Sequence, residues 1–249
     1  MIILKTQEEI KKMAKACRIV AETLEEIRSF MRPGITTKDI ERFSEDKIKA
    51  HGGAPAFKGY RGYPASICAS VNNQVIHGIP SPMMLREGDI ISIDLGVCVD
   101  GFYGDGAVTL PVGEISPLAK KLLKVTEDAL YIGIDKATSR NRVSDISAAI
   151  QQHVEANGFS VVRAFVGHGI GMSLHEEPQV PNFGVAGQGP RLKDGMTLAI
   201  EPMVNTGGCE VGILEDGWTA VTLDGGLSAH FEHTVAITDG DARILTKVE

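Results

Sequence analysis

Leu85–Asp94 reads LREGDIISID, and Leu192–Glu201 reads LKDGMTLAIE. The two decapeptides lie 107 residues apart at every position. Leucine, a basic residue, an acidic residue and glycine recur in order, and both segments end in isoleucine followed by a carboxylate. A carboxylate that closes an apolar run is costly to bury unless a cation or strong donors compensate it. Two related segments that each deliver one predict a duplicated unit. Its halves bring Asp94 and Glu201 to one shared metal or acid/base site.

The sequence on either side of each decapeptide repeats a plan. Thr6 to Glu9 form a T-x-x-E capping box ahead of apolar residues at helical spacing, from Ile10 to Ile27. Pro33-Gly34 stops this helix, and Thr37 is expected to cap a shorter one ended by Gly52-Gly53. In the second half Ser116-Pro117 opens a helix. A second, shorter helix is expected from Ser144 to Gly158. Each helix pair leads into strands. Ile90–Val99 and Gly106–Leu110 flank Asp100-Gly101, a hairpin signal. Thr197–Val204, Trp218–Leu223 and His230–Ile237 are the strands expected later. No linker separates the halves. The prediction is one α+β catalytic domain over residues 1–249, duplicated roughly as 1–113 and 114–249, with helices packed on one face of a curved antiparallel sheet.

Bulk properties narrow the function. The chain has 249 residues, is 43% hydrophobic and 23% charged, and carries a net charge of −7. That balance suits a soluble globular protein and opposes a nucleic-acid surface, so no DNA partner is expected. The four cysteines are scattered, without a C-x-x-C pair, which fits a reducing cytosol. No signal-peptide h-region or membrane-length apolar run is present, so the expectation is a cytoplasmic protein with no membrane contact.

Four carboxylates carry the chemical signal. Asp94 and Asp105 lie on opposite arms of the predicted hairpin, where cross-strand neighbours approach within about 5.5 Å. Like charges so close raise a pKa or demand a cation. Glu201 in LAIEPMV and Glu232 in AHFEHTVAI are ringed by strand formers. For either glutamate alone, a salt bridge to a buried arginine explains as much as a ligand role. For four carboxylates in a duplicated fold, a shared cation is more economical.

Histidines complete the set. His168 sits between Gly167 and Gly169, which free the backbone to present an imidazole, and His175 follows in the same glycine-rich stretch. His77 precedes Gly78 near Pro80 and is expected at a turn. His51, His153 and His230 have no comparable setting, and His233 reads as an ordinary structural residue. Four carboxylates and one histidine without a thiolate suit Mn, Fe, Co or Zn at a coordination number above four. Two bridging carboxylates could hold two ions about 3.5–4 Å apart, an arrangement used for hydrolysis.

These residues resemble a type I methionine aminopeptidase. The similarity runs through KGYRGYPASICASVNNQVIHGIP (residues 58–80), IDLGVCVDGFYGDGA (93–107), VGHGIGMSLHEEPQVPN (166–182), MTLAIEPMV (196–204), EDGWTAVT (215–222) and AHFEHTV (229–235). The resemblance implies the pita-bread fold, with two pseudo-twofold-related halves. It implies two divalent metal ions (Co, Mn, Fe or Zn) held by Asp94, Asp105, His168, Glu201 and Glu232, with Asp105 and Glu232 bridging. By the same matching, Glu201 would shuttle the proton of the attacking water. His175 would stabilise the oxyanion, and His77 would act on the leaving-group side. Tyr60, Tyr63, Cys68, Leu174 and Trp218 would line the methionine pocket, with Leu174 standing where some relatives carry phenylalanine. The implied substrates are peptides and nascent chains that begin with methionine before a small residue. Ribosome association and a monomeric state accompany that expectation.

Three rivals share parts of this pattern. X-Pro peptidases of the same fold use the same five ligands but usually carry a large extra N-terminal domain. A non-catalytic binding module tends to lose ligands, and a metal-free amidinohydrolase-like enzyme does not need them.

Overall fold

Helix α1 (Gln7–Phe30) opens on the predicted capping box. The Glu9 carboxylate accepts from the Thr6 N–H at 2.7 Å, and the Thr6 hydroxyl accepts from the Glu9 N–H at 3.3 Å. The computed structural model describes residues 1–248. Helix α2 (Thr37–Ala50) is capped by Thr36 rather than by Thr37 as expected. Asp39 decides this, because its carboxylate accepts from the Thr36 N–H at 3.0 Å. Thr37 instead uses its hydroxyl on the Ser81 backbone. Ser116 caps helix α3 (Pro117–Lys136) as predicted. Helix α4 (Val143–Ala156) begins just before Ser144. Asp145 accepts from the Arg142 N–H at 2.7 Å, and the Ser144 hydroxyl goes to Gln188 O.

The helices support a nine-stranded sheet in which every pairing is antiparallel. Along its main path the strands run Ala54–Pro55, Ile90–Val99, Phe102–Pro111, Glu232–Thr238, Thr197–Ile200, Gly167–Gly169 and Glu176–Val180. Strands Cys68–Val71 and Asp241–Ile244 branch from it. The central hairpin turns at Asp100-Gly101, both with positive φ (52° and 79°), as a two-residue turn matched to strand twist requires. Its second arm is longer than expected, starting at Phe102 instead of Gly106.

Glycines set how α1 meets this hairpin. A Cβ at Gly104 would lie 2.6 Å from the Cys17 backbone nitrogen, and one at Gly106 would lie 2.9 Å from Val20 Cγ1. The missing side chains let α1 press directly on the strand. Alternation along the strand then turns Asp105 to the opposite face. One continuous core runs through the chain: Val20, Ile40, Ile93 and Leu95 pack in the same cluster as Leu122, Ile146, Leu198 and Val235.

The later strands are interrupted where the sequence predicts continuity. Thr197–Val204 divides into Thr197–Ile200 and Met203–Asn205, because Pro202 has no N–H to continue the ladder. His230–Ile237 divides at Phe231 into Ser228–His230 and Glu232–Thr238. The stretch from Trp218 is a strand only over Ala220–Thr222, since Asp216 Oδ1 binds both the Trp218 and Thr219 N–H groups in a turn. The breaks at Pro202 and Phe231 are where the chain passes between the large sheet and a three-stranded one. Glu201 and Glu232 sit at these junctions.

Candidate metal centre and adjoining pocket

Register explains how distant residues meet. Asp94 pairs with Ala107, and Asp105 pairs with Gly96. The two aspartates are therefore on opposite arms of the hairpin as expected, as diagonal neighbours on one face. Glu232 pairs with the same Ala107 from the other side. His233 pairs with Ile200, and continuing that ladder by one residue sets Glu201 beside Glu232. His168 pairs with Ala199, next to the Glu201 segment.

Gly167 and Gly169 serve His168 through close approach. A Cβ at Gly167 would lie 2.4 Å from Ala199 O, and one at Gly169 would lie 2.2 Å from Glu177 O. A bulge between His168 and Gly169 aims the ring, a common device beside active sites. His168 Nδ1 lies 2.8 Å from Gly169 O, so Nδ1 donates and Nε2 is the lone-pair nitrogen. That nitrogen stands 3.5 Å from Glu201 Oε1. The Asn182 amide donates to Glu201 O at 2.9 Å and secures the backbone there.

The ligand atoms of Asp105, His168 and Glu232 lie within 4.8 Å of one another, and Asp94 and Glu201 line the same pocket. Asp94, Asp105 and Glu232 are 9%, 4% and 3% exposed. No lysine or arginine pairs with any of the four carboxylates among the described residues. Asp94 Oδ1 and Glu232 Oε1 are buried without a hydrogen-bond partner. Burial first, then mutual repulsion, drives the carboxyls of Asp94, Glu201 and Glu232 well above their ordinary range. Asp105 is pushed up to about 7, also by burial. Burial holds His168 down to about 4, so its ring is neutral. Orphaned carboxyl oxygens beside a neutral imidazole fit divalent cations, whose positive charge would offset the cost of ionising the carboxyls.

The residues expected at the methionine pocket line the same cavity of about 130 Å³. Tyr63 is fixed by donating to Ile67 O and Gly78 O, both at 3.1 Å, and packs edge-on to Trp218 with centroids 5.1 Å apart. Cys68 pairs with Asp94 across the strands, which puts its thiol beside that carboxylate. Leu174 is buried beside them. Tyr60 lies nearly parallel to His175, and its hydroxyl is 2.9 Å from His175 Nδ1. Burial, then the neighbouring His168, lowers His175 to about 3. Its ring centroid is 4.1 Å from that of His168.

His77 has φ of 59°, an uncommon conformation for a non-glycine residue and one that gathers at functional sites. It packs edge-on to Phe165 and Trp218, and burial lowers its pKa.

Sequence reasoning missed several residues here. Phe57 and Arg61 line the cavity, and Phe165 braces His77. The G-Y-R-G-Y repetition around Arg61 was the available signal for that residue. His230, set aside on sequence, is 1% exposed with Nε2 3.7 Å from Glu201 Oε2. His233 points away from the ligands: its Nδ1 is 2.9 Å from Thr246 Oγ1, and its ring lies against Tyr131.

Comparison with known proteins identifies the family. The profile of metallopeptidase family M24 matches residues 11–239. A curated methionine aminopeptidase from Clostridium perfringens is 57% identical over 249 residues, covering all of both chains. The crystal structure of a methionine aminopeptidase from Thermotoga maritima superposes with a TM-score of 0.97 at 49% identity, again over the full length of both chains. A prolidase from Pyrococcus furiosus shares the fold, with a TM-score of 0.80 at 23% identity over 99% of this chain and 66% of its own.

Proposed function

The chain belongs to metallopeptidase family M24 and has the pita-bread fold, and from that premise we propose that it is a metal-dependent aminopeptidase. It removes the N-terminal methionine from peptides and nascent chains whose second residue is small. The observation that carries the reading is a cluster of four carboxylates, three of them buried, with no lysine or arginine partner among the described residues, opening onto a pocket lined by Tyr63, Cys68, Leu174 and Trp218.

In this reading Asp94, Asp105, His168, Glu201 and Glu232 hold two divalent ions, and Co, Mn, Fe and Zn all suit the donor set. When bound, such ions polarise the scissile carbonyl and make water a usable nucleophile near neutral pH. The chain's own groups do the rest. The pocket takes the methionine side chain and excludes water from it. Glu201 takes the proton of the attacking water and passes it to the departing amine. With the Tyr60 hydroxyl donating to Nδ1, neutral His175 keeps its proton on Nε2, free to stabilise the oxyanion. His77 faces the leaving-group side and steadies the new N-terminus.

The same reading makes residues 1–249 one catalytic domain with halves at roughly 1–113 and 114–249. It describes a cytoplasmic monomer that meets its substrates at the ribosome. Among the described residues, no helix is long and apolar enough to cross a membrane.

The test is mass spectrometry of Met-Ala-Ser, Met-Ile-Ser, Leu-Ala-Ser and Ala-Pro-Ser peptides after incubation with the protein. Each is assayed after EDTA and again after Mn or Co is restored. Loss of methionine from Met-Ala-Ser alone, abolished by EDTA and restored by metal, is the expected result. Cleavage of Ala-Pro-Ser instead would make the protein an X-Pro peptidase, and no cleavage under any metal would make it a binding module.

A further inference from the structure

His230 is an anomaly of the fold. Its side chain is almost wholly buried, yet neither ring nitrogen has a hydrogen-bond partner among the described residues. Leaving two buried polar nitrogens unpaired destabilises a folded chain, and an apolar residue of similar size would avoid the penalty. Such groups persist where they serve a site.

The backbone aims this ring. The Thr109 hydroxyl donates to His230 O at 2.7 Å and accepts from the His230 N–H at 2.8 Å. With its one proton so used, Thr109 accepts from the Ser92 hydroxyl, also at 2.8 Å. On the other side His230 pairs with Met203, two residues past Glu201. The ring therefore projects from a doubly clamped position toward the Glu201 carboxylate.

That carboxylate is divided between two imidazoles. Oε1 faces His168 Nε2 at 3.5 Å, and Oε2 faces His230 Nε2 at 3.7 Å. The second gap exceeds a hydrogen bond by a few tenths of an ångström. A small rotation of the Glu201 side chain closes it. Because no other group claims the ring, an anionic Glu201 sets its tautomer, with the proton on Nε2.

We propose that His230 is a positioning residue for Glu201: its Nε2–H holds Oε2 and keeps Oε1 directed toward His168 and the pocket. The inference rests on the aminopeptidase reading for its activity assay. It assigns no proton transfer to His230, which needs only to remain neutral and donate.

The test compares His230→Leu, His230→Gln and His230→Ala with the unaltered chain. The readouts are kcat and KM on Met-Ala-Ser, Mn affinity by calorimetry, and Tm after EDTA. His230→Leu removes the donor while keeping the space filled. We expect kcat to fall 10- to 100-fold with KM within about twofold, the range for losing a group that orients a ligand. We also expect Mn to bind more weakly and the EDTA-treated protein to melt at or above the wild-type Tm. His230→Gln restores an N–H donor and should recover most of the lost kcat. Wild-type kcat in His230→Leu would overturn the proposal. So would a kcat loss that tracks a fall in Tm in His230→Leu and His230→Ala and is not relieved by glutamine. If the unaltered chain cleaves no peptide under any metal, the aminopeptidase reading fails. Mn affinity then decides this point: weaker binding in a folded His230→Leu supports positioning, and unchanged binding refutes it.

Discussion

Asp94 and Glu232 flank a single residue: each is the register partner of Ala107, on opposite sides of the Phe102–Pro111 strand. Their backbones are thus two strand spacings apart, roughly 10 Å. The one methyl group between them leaves room for both carboxylates to converge without colliding. Ala107→Val would fill that gap. Overpacking of about 1–3 kcal/mol corresponds to roughly 5- to 150-fold weaker metal binding. Calorimetric titration with Mn measures it, and wild-type affinity would show that the gap is not needed.

Glu201→Gln keeps the shape of the side chain but removes a ligand charge and the proposed proton carrier. The expected outcome is a loss of several orders of magnitude in kcat with an unchanged circular dichroism spectrum. Full activity at normal metal content would refute the role given to Glu201.

His175→Ala removes one oxyanion donor, which in general costs about 2.7–4 kcal/mol of transition-state stabilisation. Steady-state kinetics should show a fall in kcat of two to three orders of magnitude, roughly that energy. An effect confined to KM would assign His175 to ground-state binding. Tyr60→Phe, which removes only the hydroxyl that orients the ring, should show a smaller loss of the same kind.

Metal removal has a pH signature. The carboxyls of Asp94, Glu201 and Glu232 are raised far above their ordinary range, so in the metal-free fold they stay protonated where the unfolded chain has already ionised. The unfolded state then binds fewer protons, and stability falls as pH rises. His168, His175 and His230, lowered to about 4, 3 and 3, give the opposite slope below the ordinary histidine range and none above it. The clean window therefore lies above neutrality. Tm of the EDTA-treated protein should fall as pH rises past the ordinary histidine range. Saturating Mn should raise Tm throughout and flatten the slope, because bound cations favour the charged carboxylates. A Tm that is flat without metal would contradict this electrostatic account.

A leaving-side pocket that admits only small second residues spares methionine before a bulky one. Met-Ile-Ser should therefore resist cleavage under conditions that cleave Met-Ala-Ser, as read by mass spectrometry of the products. Equal cleavage of both would mean a wider pocket.

The helix starts at Thr6 and Ser116, the Asp100-Gly101 turn and the paired decapeptides could all be read from the chain. Each depends on residues within a few positions of one another, or on a repeat that needs no structure to detect. The cap at Thr36 was misplaced by one residue because two adjacent threonines compete. The choice was settled by Asp39 bonding one of them and Ser81 engaging the other. His230 was passed over because nothing local distinguishes it. Its isolation and its proximity to Glu201 exist only once Ser228–His230 has paired with Met203–Asn205.

Local periodicity, capping chemistry and the repeat ending in Asp94 and Glu201 thus specify an α+β chain with duplicated carboxylates, because those signals act over a turn of helix or a few residues of strand. The diagonal setting of Asp94 and Asp105, the placing of Glu232 across Ala107 and the approach of His230 to Glu201 belong to the assembled sheet. The second depends on register between strands more than 100 residues apart in sequence, the others on register between strands nearer in the chain, and all on burial that withholds water and partners from a carboxylate or an imidazole. No short-range pattern encodes either property.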